Sequence, residues 1–245
     1  ILAVTMPLVA GFVVAGFGFK YLFLAASVII IAGFIPLFHL QNIYEKYQWS
    51  FIETFRQFFS QRNRNLIATY LGDGAQKVAL VVLWPLFVFL LLDQKYIALG
   101  AITAFTLLAV LVIQSTTGSL FDKWDRRRVL VLGAIISSTG WLIKIFVGTP
   151  IQIFVADTYH GFGRVVNRTS VDALGYEQAA DNGRYVDEYT VLKEMASGIG
   201  KAGMLIFAGV ILFVSNMHTA FLVSLFMAAL ATLATMFLSR PIRLH

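Results

Sequence analysis

The stretch VALVVLWPLFVFLLL (Val78–Leu92) contains no charged residue, breaks at Asp93-Gln94-Lys95, and resumes as YIALGAITAFTLLAVLVI (Tyr96–Ile113), again without a charge. A helix of about 20 residues is roughly 30 Å long, the thickness of a bilayer's hydrocarbon core. The two runs extend to that length, as 65–92 and 96–117, so they read as consecutive membrane spans joined by a polar turn. Moving outward, the same pattern of apolar run and polar break gives 1–17, 21–38, 129–148, 151–174, 188–215 and 218–239, eight spans in all. Composition agrees: 58% of the 245 residues are hydrophobic and 13% charged, against roughly 45–50% and about 25% in soluble domains. The expected class is an all-α polytopic membrane bundle.

Composition also removes several chemistries. Cysteine is absent, which excludes disulfides, thiolate nucleophiles and Cys-ligated zinc, and the four His have no paired spacing for a catalytic metal. No cofactor is expected. A net charge of +6 in a soluble chain would suggest nucleic acid; in a membrane chain it reports topology, and the expected partners are the lipid bilayer and a small solute. One set of alternate loops, together with the C-terminus, holds fourteen of the 19 Lys and Arg; the other side has Lys20, Lys95 and Lys144, and Lys77 and Lys201 fall within spans. The positive-inside rule then places the fourteen, and the C-terminus, on the cytoplasmic side of the cytoplasmic membrane. Residues 40–64, with Tyr44, Tyr47, Phe51, Phe55, Phe58 and Phe59 near helical spacing, read as an amphipathic linker lying along that surface. Ile1 stands within an apolar run with no basic segment or cleavage site before it, so the chain reads as a fragment that begins inside a helix. Laid over the last two spans, the first two align Gly11 with Gly209 and Phe23-Leu24 with Phe221-Leu222, the weak internal repeat of transporters built from repeated bundles.

Between the fourth and fifth spans stands Gly118-Ser-Leu-Phe-Asp122-Lys123-Trp-Asp125-Arg126-Arg127-Arg128. It resembles the cytoplasmic loop signature of the major facilitator superfamily: Gly, three residues, Asp, a basic residue, any residue, Gly, and two basic residues. Gly118, Asp122, Lys123, Arg126 and Arg127 match, and Asp125 stands in place of the second Gly. The resemblance implies that Gly118 lets two helices approach and that Asp122 and the basic cluster form a cytoplasmic gate. It covers nearly the whole chain. PLVAGFVVAGFGFKYLF is similar to the fifth family helix turning into the sixth, 40–64 to the linker between halves, WPLFVFLLL to the end of the seventh helix, and the last four spans to helices nine to twelve. On that reading residues 1–39 end the N-terminal bundle, 40–64 are the linker, 65–245 form the C-terminal six-helix bundle, and the first four helices and part of the fifth are missing.

An ionisable group at membrane depth costs roughly 2.5–3.5 kcal/mol on insertion scales, so each asks for a reason. They concentrate in three spans: Asp73 and Lys77 in the third, Asp157, His160, Arg164 and Arg168 in the sixth, and Glu188, Lys193, Glu194 and Lys201 in the seventh. By the resemblance these are helices seven, ten and eleven, at or beside the central cavity, whereas six, nine and twelve face lipid. Asp73 and Lys77, four apart with Gln76 alongside, can neutralise each other or meet a charged substrate. Asp157, His160, Arg164 and Arg168 step by three or four along one stripe, with Gly161 and Gly163 leaving room beside it. Asp157 and His160 are candidates for proton coupling, or for a structural bond to each other; Arg164 and Arg168 read as gate or topology residues. Glu194 and Lys201, seven apart, read as partners in ion pairs with a neighbouring helix. Two patterns carry no chemistry: Gly198-Ile-Gly200-Lys-Ala-Gly203 fits a dinucleotide-binding pattern but lies in a helical run with no preceding strand, and reads as a packing face, and Asn167-Arg168-Thr169 is a sequon at the inner end of a span.

The expected function is secondary active transport of a small solute by alternating access, coupled to protons through Asp157 and His160. A transport-inactive scaffold or sensor is the competing class. An integral-membrane enzyme would need a compact nucleophile or acid–base set that the sequence does not offer.

Overall fold

The computed structural model describes residues 2–39, 47–121, 124–180 and 186–239. Every regular element among them is helical: α1 (Leu2–Phe17), α2 (Phe19–Leu37), α3 (Phe51–Phe58), α4 (Arg64–Val78), α5 (Trp84–Leu91), α6 (Tyr96–Phe121), α7 (Arg126–Lys144), α8 (Pro150–Ala180), α9 (Val186–Val214) and α10 (Met217–Ala234). A 3₁₀ turn (Gln61–Asn63) leads into α4, and another (Thr235–Ser239) extends α10. Five segments are long and apolar enough to cross a membrane: Phe19–Leu37, Gln61–Leu91, Tyr96–Thr116, Val186–Val214 and Met217–Ser239. The multi-pass membrane character follows from these. The remaining expected spans, 1–17, 129–148 and 151–174, are helices too, but α1 is short and α7 and α8 carry buried polar groups that lower their hydropathy.

α4 and α5 form one rod through a wide π-type turn at Ala79–Leu83. Pro85 explains it: without an N–H, it cannot close the ordinary bond to Val81, and the extra residue in the turn absorbs the mismatch. The rod reverses at Asp93 and Gln94, both in left-handed backbone (φ 52° and 61°), with the Gln94 N–H returning to the Phe89 carbonyl at 2.9 Å.

Helices approach closely wherever glycine faces a neighbour. Gly72 of α4 lies against the Ala231 carbonyl of α10, Gly74 against the Ser197 carbonyl of α9, Gly200 of α9 against the Leu71 carbonyl, and Gly100 of α6 against the Pro7 carbonyl of α1. The Gly198–Gly203 pattern is therefore a packing face at Gly200 alone, since nothing approaches Gly198 or Gly203 within 4 Å. Gly161 and Gly163 do not themselves open the room expected of them, since both face neighbouring helices at close contact. A Cβ at Gly161 would meet Val110 of α6, and one at Gly163 would meet Ile136 and Ser137 of α7, each at 2.6 Å, so these glycines seat α8 against its neighbours.

Side-chain contacts fix which ends lie together. Arg126, at the start of α7, pairs with Glu177 near the end of α8; the Gln48 N–H donates to Glu188 at the start of α9 at 2.6 Å; and Asn167 of α8 donates to Thr235 at 2.9 Å. One end thus gathers residues 47–64, the approach to α7, the last turns of α8 and the 235–239 turn, with Arg56, Arg62, Arg64, Arg126, Arg127 and Arg128 among them. Of the linker, residues 40–46 lie outside the described residues. Its remainder is tied to α9 through Gln48 and through Trp49, whose ring sits 6.1 Å from that of Tyr189, while Phe51, Ile52 and Phe59 stay exposed.

The core has two apolar clusters. The one at the basic end is built from Leu66, Tyr70, Leu130, Val171, Leu192 and Leu238, and the other from Val78, Trp84, Trp141, Ile153, Met204 and Leu225, each with neighbours. Between them, on each of α4, α7, α8, α9 and the α10 segment, the chain buries polar residues: Thr69, Asp73 and Gln76, then Ser137 and Ser138, His160 and Asn167, Ser197, and Thr232 and Thr235. A polar belt therefore crosses the bundle between two apolar layers.

Candidate functional site

Lys144 is the centre of the first group. It is the last residue of α7, near the end of the expected span 129–148 as its position predicts, and it is fully buried, which its count among the basic residues of the outer side does not anticipate. The Nζ reaches Asp157 Oδ1 at 2.7 Å and His160 Nδ1 at 3.3 Å, and sits 4.3 Å from the ring of Trp84 and 4.5 Å from that of Trp141. With Lys144 as an ammonium, which only donates, His160 Nδ1 is the acceptor and a neutral ring carries its hydrogen on Nε2. Two indole faces and a carboxylate are what a desolvated cation needs in order to stay charged away from water. Packing sets this geometry: the π-type turn delivers Trp84, and Gly140 lets α7 approach so closely that a Cβ there would lie 2.8 Å from His160 Cα. Asp157 and His160 thus meet through Lys144 and not through a bond to each other.

The second group joins α4, α8 and α9. Asp73 receives Lys77 Nζ at 2.7 Å on its own helix and Arg168 Nη1 at 3.0 Å from α8, and Gln76 Nε2 stands 3.5 Å from its other oxygen. Arg168 Nε donates to Asp172 at 2.9 Å, and Asp172 also receives Lys193 Nζ of α9 at 3.3 Å. Lys193 in turn lies 5.2 Å over the ring of Tyr70. Gln76 Oε1 accepts from Thr232 Oγ1 at 2.9 Å, tying α10 to the same layer. The Asp73–Lys77 pair read from spacing is therefore part of a chain, Lys77–Asp73–Arg168–Asp172–Lys193, across three helices. Arg168 is a cross-helix ligand of Asp73 rather than a topology residue alone.

Other expectations fare differently. Glu194 is exposed and Lys201 half-buried, and among the described residues neither enters an ion pair, so their pairing with a neighbouring helix is not found. Arg164 lies on the stripe, and among the described residues no ion pair or hydrogen bond is found for it. In the loop motif, Gly118 falls in the last turn of α6, while Asp122 and Lys123 lie outside the described residues. Asp125 has a clear role: its Oδ1 accepts from the Arg127 N–H at 3.2 Å and caps the N-terminus of α7.

Sequence reasoning missed Lys144, Asp172 and the belt residues Ser137, Ser138, Asn167, Thr232 and Thr235. Ser137-Ser138 inside an apolar run, and Thr232 and Thr235 three apart near the end of another, were the available signals. In the family the resemblance names, α7 and α10 would face lipid; here both also turn buried polar groups inward. Compared with known families, curated proteins and solved structures, the chain matches none.

Proposed function

We propose that the chain is part of a secondary active transporter of the major facilitator type, with eight spans, its basic end and C-terminus in the cytoplasm, moving a small solute by alternating access. The observation that carries the reading is the buried polar belt between two apolar layers. Soluble-facing function needs no such belt, whereas a substrate path at the middle of a bundle does, because every polar group there must be satisfied by protein, solute or water. Lys144, Asp157 and His160 form the coupling site on this reading, with Asp157 as the proton-exchanging carboxylate and Lys144 as its counter-ion. The Asp73–Arg168 chain joins helices whose relative movement would open the basic end. Charge pairs of this kind suit a gate, since each state can satisfy the groups differently.

Proteoliposomes loaded with a pH-sensitive dye test it. The full-length parent protein should dissipate an imposed proton gradient when one of a panel of labelled solutes is added, and should accumulate that solute. The neutral pair Lys144→Met with Asp157→Asn keeps the packing and removes both ionisable groups. It should lose gradient-driven accumulation and retain exchange. Folded protein that moves neither solute nor protons would replace this reading with a scaffold or sensor.

A further inference from the structure

Arg164 is the cation on the α8 stripe that the ion pairs leave out. Among the described residues no group lies within ion-pair or hydrogen-bond distance of its guanidinium, and its Nε is buried. The acidic groups around it are engaged: Asp157 is held by Lys144, and Asp73 and Asp172 are shared among Lys77, Arg168 and Lys193. Taken together, the two ion-paired groups and Arg164 set five cations (Lys77, Lys144, Arg164, Arg168, Lys193) against three carboxylates (Asp73, Asp157, Asp172). One turn away on the same stripe is an independent sign. His160 is 1% exposed, and its Nε2, the nitrogen that carries the hydrogen when Nδ1 accepts from a charged Lys144, has no hydrogen-bond partner among the described residues. Two successive turns of α8 therefore carry buried nitrogens, Arg164 Nε and His160 Nε2, without a hydrogen-bond partner among the described residues, which is unfavourable unless a ligand or water supplies one.

We infer that Arg164 binds an anionic group, a carboxylate or phosphate, of the transported solute, with the Nε2–H of His160 as the adjoining donor. This rests on the transporter reading above and adds to it the substrate class. A guanidinium suits the role because its planar fork meets two oxygens of such a group at once. The excess of cations in the surrounding network gives the same preference over a longer range.

Thermal unfolding of the full chain in neutral phosphatidylcholine nanodiscs tests this with inorganic phosphate, succinate and benzoate, and with tetraphenylphosphonium and glucose as controls, all at equal ionic strength. At least one anion should raise the midpoint by several degrees, and neither control should. Arg164→Gln should abolish the rise, and Arg164→Lys should keep a weakened part of it. Without ligand, Arg164→Gln should melt at or above the wild-type midpoint, because it removes an unpaired cation; a purely structural arginine would give the opposite. The inference is overturned if no anion shifts the wild type, if the shift survives Arg164→Gln, or if that variant is unstable without ligand. An Arg164-dependent rise seen only when phosphatidylglycerol is added to the discs assigns the site to a lipid headgroup and overturns the solute assignment. Transport of a cation or neutral solute with no anion shift leaves the transporter reading intact and removes this one, whereas an Arg164-dependent anion shift with no transport removes the transporter reading and, with it, the solute assignment, leaving an anion site at Arg164.

Discussion

At the scale of the residue, Lys144 and Asp157 differ in surroundings, and the difference predicts unequal mutants. Lys144 is fully enclosed, while the Asp157 side chain keeps 18% of its accessibility. Breaking a buried pair by removing one partner costs about 3–5 kcal/mol, because the other is left charged in low dielectric. Asp157→Asn strands the enclosed ammonium and should fall in that range. Lys144→Met leaves a carboxylate that can reach water or take a proton, and should cost less. The double variant should recover much of the Asp157→Asn loss. Chemical unfolding in micelles measures all three, and strictly additive losses would show that the 2.7 Å contact contributes nothing. Spacing along α8 made Asp157 and His160 legible in the sequence, since a three-and-four step needs only helical geometry. Their partner was illegible: Lys144 stands near the end of an apolar run, where a lone basic residue reads as a marker of the outer side, and only the approach of α7 to α8 encloses it.

At the scale of the element, glycines that look alike in sequence do different things. Gly140 faces His160, with Cα and Cβ each 2.8 Å from where its own Cβ would stand, whereas Gly198 faces open space. Gly140→Ala should destabilise by about 1–3 kcal/mol through forced separation of α7 and α8, and should disturb the Lys144–His160 contact. Gly198→Ala should be neutral or stabilise by about 0.5–1 kcal/mol, the ordinary gain of replacing a helical glycine. Thermal midpoints of the two variants check the contrast, and equal effects would remove the close-approach account of α7 and α8. The same distinction marks what the sequence reveals about elements. All eight apolar runs became helices because length and hydropathy are local properties, while which glycine faces a neighbour depends on the rotation of each helix about its axis, and Gly161 and Gly163 were misread for that reason.

At the scale of the molecule, the two ends of the bundle differ in charge and the middle differs from both. Alternation of basic loops was legible because like-facing loops share one side of a membrane, and the contacts of Glu188, Glu177 and Thr235 gather the same loops at one end. The belt was only half legible. Its charged members announced themselves, whereas Ser137, Ser138 and Thr232 look unremarkable in single helices and become a layer only when five helices align. If the basic end is cytoplasmic, cysteine labelling should divide along the same line. The chain has no cysteine of its own, so single substitutions are read without background. Gln61 and Trp124 are exposed at the basic end, and Gln94 and Ser215 are exposed in the turns after α5 and α9. Gln61 and Gln94 flank one continuous rod, which at 31 residues is about 45 Å long, too long to leave both on one side. In intact cells, an impermeant thiol reagent should therefore modify cysteines at Gln94 and Ser215 and spare those at Gln61 and Trp124 until the membrane is permeabilised. Labelling of the Gln61 and Trp124 positions alone would invert the orientation, and labelling of Gln61 together with Gln94 would mean that the rod does not cross the membrane.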